Sequence, residues 1–266
     1  MDLEAIKQQA AAGWGMGEYS GLSELLRPAA VALCDACAVS AGQEVLDVAA
    51  GDGNFAVACA GEGASVVASD ISPGMVERGR ARSEAEGFDI EWTLADAEEL
   101  PYEDSRFDCV GSVFGAMIAP RPRVVAEQLF RVVRPGGTVG MTVWAPDGAA
   151  NDLFQIGRRY RSAPDDLPPL EDWGREEVVR ERFEGLANTI ELDHRSLAWS
   201  GESPEWFAAF MERHSPMQAA AKANMPPDNY ARMLDEQLEL VRGWADGDGA
   251  FSIEADYLMI VARRRG

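Results

Sequence analysis

Eleven residues constrain this chain more than any others: Val45-Leu-Asp-Val-Ala-Ala-Gly-Asp-Gly-Asn-Phe55. A short apolar run (Val45, Leu46, Val48) carries one acid, Asp47, and breaks at Gly51 and Gly53. A helix-capable stretch follows directly. The pattern predicts a strand, a tight glycine turn and a helix N-terminus, which together present bare backbone N–H groups to a ligand. The acid ahead of the glycines narrows the choice of ligand. A carboxylate there repels pyrophosphate and suits a cation.

The rest of the chain extends this pattern. Residues 1–20 begin as a helix and reach Gly13-Trp-Gly-Met-Gly-Glu-Tyr19, where glycines flank Trp14 and Tyr19. Their freedom marks a segment able to fold over a flat ligand. A helix is expected over 22–39, with Pro28 allowing a kink. Strand 44–49 leads to helix 53–61, and strand 65–70 to helix 73–86, with Ser72 as N-cap and Pro73 at the first helical position. Strands 89–95 and 107–114 follow, then helix 122–133. The turn at Arg134-Pro-Gly-Gly137 ends that helix and opens strand 138–144. Strands and helices alternating at this spacing predict an α/β fold, a doubly wound parallel sheet with helices on both faces.

After Trp144 the rhythm changes. Residues 146–187 read as helical with a proline-rich break at Pro164, Pro168 and Pro169, then 188–199 as a strand. Helices near 203–214 and 227–245 precede a last strand at 252–263. The divisions are 1–40 (N-terminal helices and lid), 41–145 (ligand-binding core) and 146–266 (substrate-side helices with the last two strands).

Composition excludes several partners. An apolar share of 47% supports a real core, while the net charge is −21. A phosphate backbone needs Lys and Arg to neutralise it, so nucleic acid is not an expected partner, and neither is an anionic membrane surface. Lys7 and Lys222 are the only lysines beside 22 arginines, which reads as a GC-rich bacterial genome. No secretory leader and no membrane-length apolar run are evident, so a cytosolic location is expected. Cys34 and Cys37 form a C-x-x-C pair that no second pair or nearby His completes as a zinc site. Both are expected on one helix, and no metal is expected.

Two ligands compete for the glycine turn. Gly51-x-Gly53-x-x-Ala56 matches a dinucleotide pattern, and Asp70 at the end of the second strand can hold a ribose in either case. S-adenosylmethionine accounts for more residues. Asp47 suits its amino and sulfonium groups, and Asp96 at the end of the third strand can reach an adenine amino group. A pyrophosphate needs none of this acidity.

In order, Val45-Leu-Asp-Val-Ala-Ala-Gly-Asp-Gly, Asp70, Asp96-Ala97, Phe107-Asp108 and Arg134-Pro-Gly-Gly137 resemble the motifs of class I S-adenosylmethionine-dependent methyltransferases. The subgroup is similar to the small-molecule and quinone-biosynthesis enzymes, and the resemblance covers about residues 40–145. It implies a Rossmann-like, seven-stranded mixed sheet whose last strand is antiparallel, with helical insertions in the C-terminal half as a substrate cap. It also implies that Gly51 and Gly53 approach the methionine moiety, Asp70 the ribose, Ile71 and Met75 the sugar and adenine, and Asp96 and Ala97 the adenine. Ser112 and Val113 would close the pocket, with Trp14 and Tyr19 in the lid. Asn54 stands where a small or polar residue is usual after the second glycine, and the contact at this position is left open. Plainer readings stand beside these. Gly136 and Gly137 end a helix, Asp108 is structural, and Asp52 is either a solvated turn acid or part of the site.

Methyl transfer from a sulfonium needs alignment and exclusion of water more than a protein nucleophile. A base helps only where the acceptor must lose a proton. His214, ending the helix of Trp206, Phe207 and Phe210, is the candidate base, ahead of His194 on a strand. Aromatic and methionine side chains in the C-terminal half suggest a small apolar or aromatic acceptor. A homodimer is a candidate assembly. A non-enzymatic binder that keeps the cofactor fold, and a nicotinamide-dependent oxidoreductase, are the alternatives.

Overall fold

The computed structural model describes residues 3–160, 167–245 and 250–266. Helices α1 (Leu3–Trp14) and α2 (Ser20–Ala36) precede β1 (Glu44–Val48). Then come α3 (Asn54–Gly61), β2 (Ser65–Asp70), α4 (Pro73–Glu86), β3 (Ile90–Leu94), β4 (Phe107–Val113), α5 (Pro122–Val132) and β5 (Val133–Trp144). The C-terminal half adds α6 (Ala149–Arg159), α7 (Glu176–Arg182), β6 (Ala187–Gly201), α8 (Pro204–His214), α9 (Pro216–Asn224), α10 (Pro227–Arg242) and β7 (Phe251–Arg264).

One seven-stranded sheet runs in the order β3-β2-β1-β4-β5-β7-β6. Neighbours pair in parallel from β3 to β5, and β7 lies antiparallel between β5 and β6. The expected mixed sheet, with its last strand reversed, is what forms. Val45, Leu46 and Val48 are fully buried, as an apolar run covered on both faces must be. The chain winds outward from β1 to β3, then crosses back to place β4 on the other flank of β1. That reversal opens a crevice above the carboxyl ends of β1 and β4.

Several boundaries differ from expectation. Arg134-Pro-Gly-Gly137 belongs to β5 and is not a separate turn. The ladder pairs Phe107 with Val133 and next Cys109 with Thr138, so the intervening residues bulge outward. Arg134 Nη1 there meets Asp108 Oδ1 at 2.8 Å, and Asp108 Oδ2 accepts the Glu44 N–H. Asp108 is thus a structural tie between β1 and β4. The stretch 146–187 resolves into α6, a short helical turn at Leu170–Gly174, and α7; Pro164 lies outside the described residues. Helix α9 forms between the two helices that the sequence pattern predicts near 203–214 and 227–245. Each of α8, α9 and α10 starts on a proline, whose missing N–H costs nothing in a first helical turn. Cys34 and Cys37 are buried on and just after α2. Among the described residues no helix is long and apolar enough to cross a membrane.

Candidate active site

The crevice holds a cavity of about 190 Å³. Its walls include Asp47, Gly51, Asp70, Ile71, Met75, Asp96, Ala97 and Val113 from the core, and Trp14 and Tyr19 from the lid. These residues come from four strand ends, the start of α4, the end of α1 and the entry to α2, so the topology gathers them.

The turn after β1 is built on positive φ angles at Ala49 (52°), Gly51 (60°) and Gly53 (92°). A Cβ at Gly51 would stand 3.2 Å from the Tyr19 hydroxyl, and one at Gly53 would stand 2.9 Å from the Trp92 ring. Glycine is needed at Gly51 to let the backbone pass beneath Tyr19, and at Gly53 to start α3 against Trp92. Gly53 itself stands behind the cavity wall, next to Asn54, which lines it.

Three carboxylates define one end of the cavity. Asp47 is 1% exposed. Its Oδ2 accepts the Ala56 N–H at 2.9 Å, while Oδ1 is buried with no partner among the described residues. Burial, reinforced by the nearby Asp70 and Asp52, pushes its pKa up to about 8 against the opposing Ala56 bond. Asp70 accepts Gly51 N–H at 2.9 Å and Ser72 N–H at 2.8 Å. Burial still raises its pKa to about 6, because these N–H bonds offset only part of the desolvation. Burial also raises the Tyr19 phenol, with Asp52, Asp70 and Asp47 adding to it, so that hydroxyl stays protonated.

Asp96 lines the cavity, but its carboxylate is engaged. Oδ2 lies 2.5 Å from Lys7 Nζ and Oδ1 accepts the Glu98 N–H at 2.8 Å. Lys7 Nζ also lies 2.5 Å from Glu98 Oε2. Burial works against the Lys7 charge, yet its bonds to Asp96 and Glu98 prevail and its pKa is raised. Asp96 stands on the cavity wall as expected and in addition fastens α1 over the crevice. Arg78 Nη2 adds a second fastening, donating to the Gly15 and Gly17 carbonyls at 3.0 and 2.7 Å. The glycine-rich segment is clamped down over the site.

Other expected residues sit elsewhere. Ser112 is fully buried behind the wall, donating to the Val48 carbonyl at 2.7 Å and accepting the Ala116 N–H at 2.9 Å. It braces the turn carrying Phe114, whose φ is 55°, a conformation that costs an aromatic residue energy and persists only when surrounding bonds hold it. His214 is not on the cavity wall. Its Nδ1–H donates to the Glu18 carbonyl at 3.0 Å, and its ring lies 4.7 Å from the Phe210 ring. From this position His214 anchors the lid. His194 is exposed and pairs with Glu176. Asp52 is no solvated turn acid, since it accepts the Ser23 hydroxyl at 2.6 Å and pairs with Arg82 at 3.2 Å. Asn54 completes that bridge, donating to the Ser23 carbonyl and accepting from Arg82.

The opposite end of the cavity is apolar. Phe114 stacks on Trp144 with centroids 3.9 Å apart, and Trp144 meets Trp199 edge-on at 5.5 Å. Leu153, Phe154, Met211 and Met217 close the chamber. Phe114 and Lys7 were both missed in the sequence. The signal for Lys7 was its isolation as one of two lysines in a strongly acidic chain.

The unpartnered Asp47 oxygen tests the ligand. A buried acceptor with nothing to accept from is costly unless a ligand supplies the donor. An ammonium group does so and stabilises the ionised carboxylate as well. Carboxylates at one end and the side-chain-free wall at Gly51 fit S-adenosylmethionine and do not fit pyrophosphate.

Comparison with known proteins agrees. Residues 45–137 match the family model described as a methyltransferase domain. An uncharacterized protein of Mycobacterium tuberculosis is 34% identical over 256 residues, 94% of this chain and 92% of that protein. A second from the same organism is 39% identical over 168 residues, 62% of this chain, so the match spans only 61% of that relative's length. The demethylmenaquinone methyltransferase of Clavibacter sepedonicus is 43% identical over 109 residues, 41% of this chain and 44% of that enzyme. In fold, the chain is similar to Haemonchus contortus phosphoethanolamine N-methyltransferase 2 in complex with S-adenosyl-L-methionine. The TM-score there is 0.56 at 20% identity, covering 90% of this chain and 53% of that one. With the glycine turn, the carboxylate rim and near full-length kinship in place, this chain belongs to the class I S-adenosylmethionine-dependent methyltransferases, and S-adenosylmethionine is its cofactor.

Proposed function

We propose that this chain methylates a small apolar or aromatic acceptor in the cytosol. The observation that carries the reading is the polarity of one cavity: carboxylates Asp47 and Asp70 at one end, and the Phe114–Trp144–Trp199 aromatic cluster at the other. When bound, S-adenosylmethionine supplies a methyl group already activated on a sulfonium. Asp47 would hold the amino group through its free oxygen, and Asp70 the ribose hydroxyls. Tyr19 and Trp14 would cover the cofactor and keep water out. The aromatic cluster would orient a flat acceptor by stacking, which fixes the line of attack.

Among the described residues the apolar chamber carries no titratable side chain. Its walls therefore favour an acceptor atom that is nucleophilic without a protein base. The test is methyl transfer from tritiated S-adenosylmethionine to a panel of naphthols, phenols and aromatic amines, beside calorimetry with S-adenosylhomocysteine. Label transfer to at least one aromatic acceptor supports the reading. Tight nucleoside binding with transfer only to charged, non-aromatic acceptors overturns it.

A further inference from the structure

A second cavity, of about 60 Å³, lies among α6, α8, α9 and α10. It shares Leu153, Phe154, Met211, Ser215 and Met217 with the aromatic end of the first cavity. The two spaces are divided only by a partition of these side chains. Leucine and methionine are flexible, and methionine adapts to irregular gaps at small cost. Beyond the partition the walls are mostly apolar, with Phe207, Ala221, Met233, Leu234 and Val241 among them.

Ser215, Gln218 and Gln237 are the polar residues of that lining, and Gln218 carries an open acceptor. Gln218 is 9% exposed. Its Nε2 donates to Gln237, and its Oε1 is buried with no partner among the described residues. A buried carbonyl oxygen left without a donor costs stability unless a ligand supplies one. A space that served only as a packing defect would gain nothing from an open acceptor on its wall.

We propose that this second cavity is an annex of the acceptor site and receives a short alkyl tail of the acceptor, with Gln218 Oε1 accepting from a hydroxyl or amide N–H on that tail. The proposal rests on the small-acceptor reading above and narrows it: the acceptor is an aromatic ring carrying a saturated or branched side chain, not a bare ring. The ring occupies the Phe114–Trp144–Trp199 chamber, and the tail passes Met211 and Met217 toward Ala221 and Met233. Hydrophobic burial then grades acceptors by tail length until the annex is full.

The test uses the full chain loaded with S-adenosylhomocysteine and titrated by calorimetry with the 4-alkylphenols from methyl to hexyl. Affinity is expected to rise about fourfold per added methylene over the first few carbons, the ratio expected for burying a methylene, and then to level off. Ala208→Phe and Ala221→Phe, which fill the annex from two helices, are expected to abolish the rise while leaving S-adenosylhomocysteine and 4-methylphenol binding within twofold. Ala208 is only half-buried, so its variant keeps the test open should Ala221→Phe fail to fold. A terminal hydroxyl on the alkyl chain is expected to improve binding to the parent chain and not to Gln218→Leu. Equal affinity across the alkyl series in the loaded protein overturns the annex and leaves the cofactor reading intact. A protein that takes up no S-adenosylhomocysteine overturns the reading beneath it.

Discussion

The backbone N–H of Gly51 donates to the Asp70 carboxylate over 2.9 Å, joining the turn after β1 to the end of β2. The two segments that must approach one nucleoside are thereby held in register before any ligand arrives. Asp70 also accepts the Ser72 N–H, so its side chain has a structural duty beside the ligand contact.

Asp70→Ala should therefore weaken cofactor binding and stability together. Loss of a charged hydrogen-bonding partner is expected to cost about 1–3 kcal/mol in binding. The two orphaned N–H groups are expected to lower stability by a similar amount. Calorimetry with S-adenosylhomocysteine and thermal unfolding measure the two effects. Unchanged affinity in a folded variant would remove Asp70 from the ribose site.

Asp47 trades stability for binding. Its pKa is raised to about 8 in the folded chain, whereas an unfolded aspartate titrates near 4. Between those values the folded state holds the extra proton. Its contribution is thus fully present below about pH 4, is lost as pH rises, and levels off above about pH 8. Asp47→Asn is expected to flatten this slope and to raise the melting temperature at pH 8 relative to the parent chain. The same variant should bind S-adenosylhomocysteine at least tenfold more weakly, about 1.4 kcal/mol. A melting temperature that falls at pH 8 would show that the carboxylate is not held protonated by burial.

The pH dependence of cofactor binding follows from the same groups. A cationic amino group favours ionised Asp47, so binding should release a proton where Asp47 is protonated in the free chain. Affinity for S-adenosylhomocysteine is expected to rise with pH between about 6 and 8, approaching tenfold per unit. Calorimetry in buffers of different ionisation enthalpy counts the proton directly. No proton release at pH 7 would contradict the arrangement.

Lys7 fastens the lid. Replacing it with alanine removes both carboxylate contacts of α1, leaving Glu98 with Arg121 at 2.7 Å. Amide hydrogen exchange across α1 should quicken by about tenfold or more, and S-adenosylhomocysteine should dissociate faster. Exchange at the parent rate would mean that α1 is held by other contacts alone.

Ser112→Ala separates a brace from a ligand contact. Its two hydrogen bonds hold the strained turn at Phe114, so the variant should lose about 1–3 kcal/mol of stability. Its affinity for S-adenosylhomocysteine should stay within about twofold, measured beside the melting temperature.

Most of the core was legible because its signals are local. Strand β1, the glycine turn and α3 are encoded within a dozen neighbouring residues, and Ser72-Pro73 marks the start of α4 by capping chemistry alone. Asp47, Asp70, Ala97 and Tyr19 line the cavity, and each lies within a few residues of a strand end or a glycine in the sequence pattern. What escaped notice is non-local. Lys7 meets Asp96 across most of the core, and Asp52 meets Arg82 from another helix. Helix α9 is composed largely of alanine between two prolines, and such a stretch shows little of the period that marks a helix face. The bulge at Arg134–Gly137 carries the same residues as a helix-ending turn, and only the pairing of β4 with β5 tells the two apart.

Strand β7 lies between β5 and β6, so the seventh strand is woven into the middle of one flank. The helices that wall the chamber and annex are then excursions, each leaving one rung of the ladder and returning to another. Trimming the chain after Trp144 would strip β5 of its partner and lay bare an aggregation-prone border. Grafting foreign helices between β5 and β6, or between β6 and β7, would keep that border sealed. Specificity could in that way be re-cut on this scaffold while the donor-binding half goes unaltered.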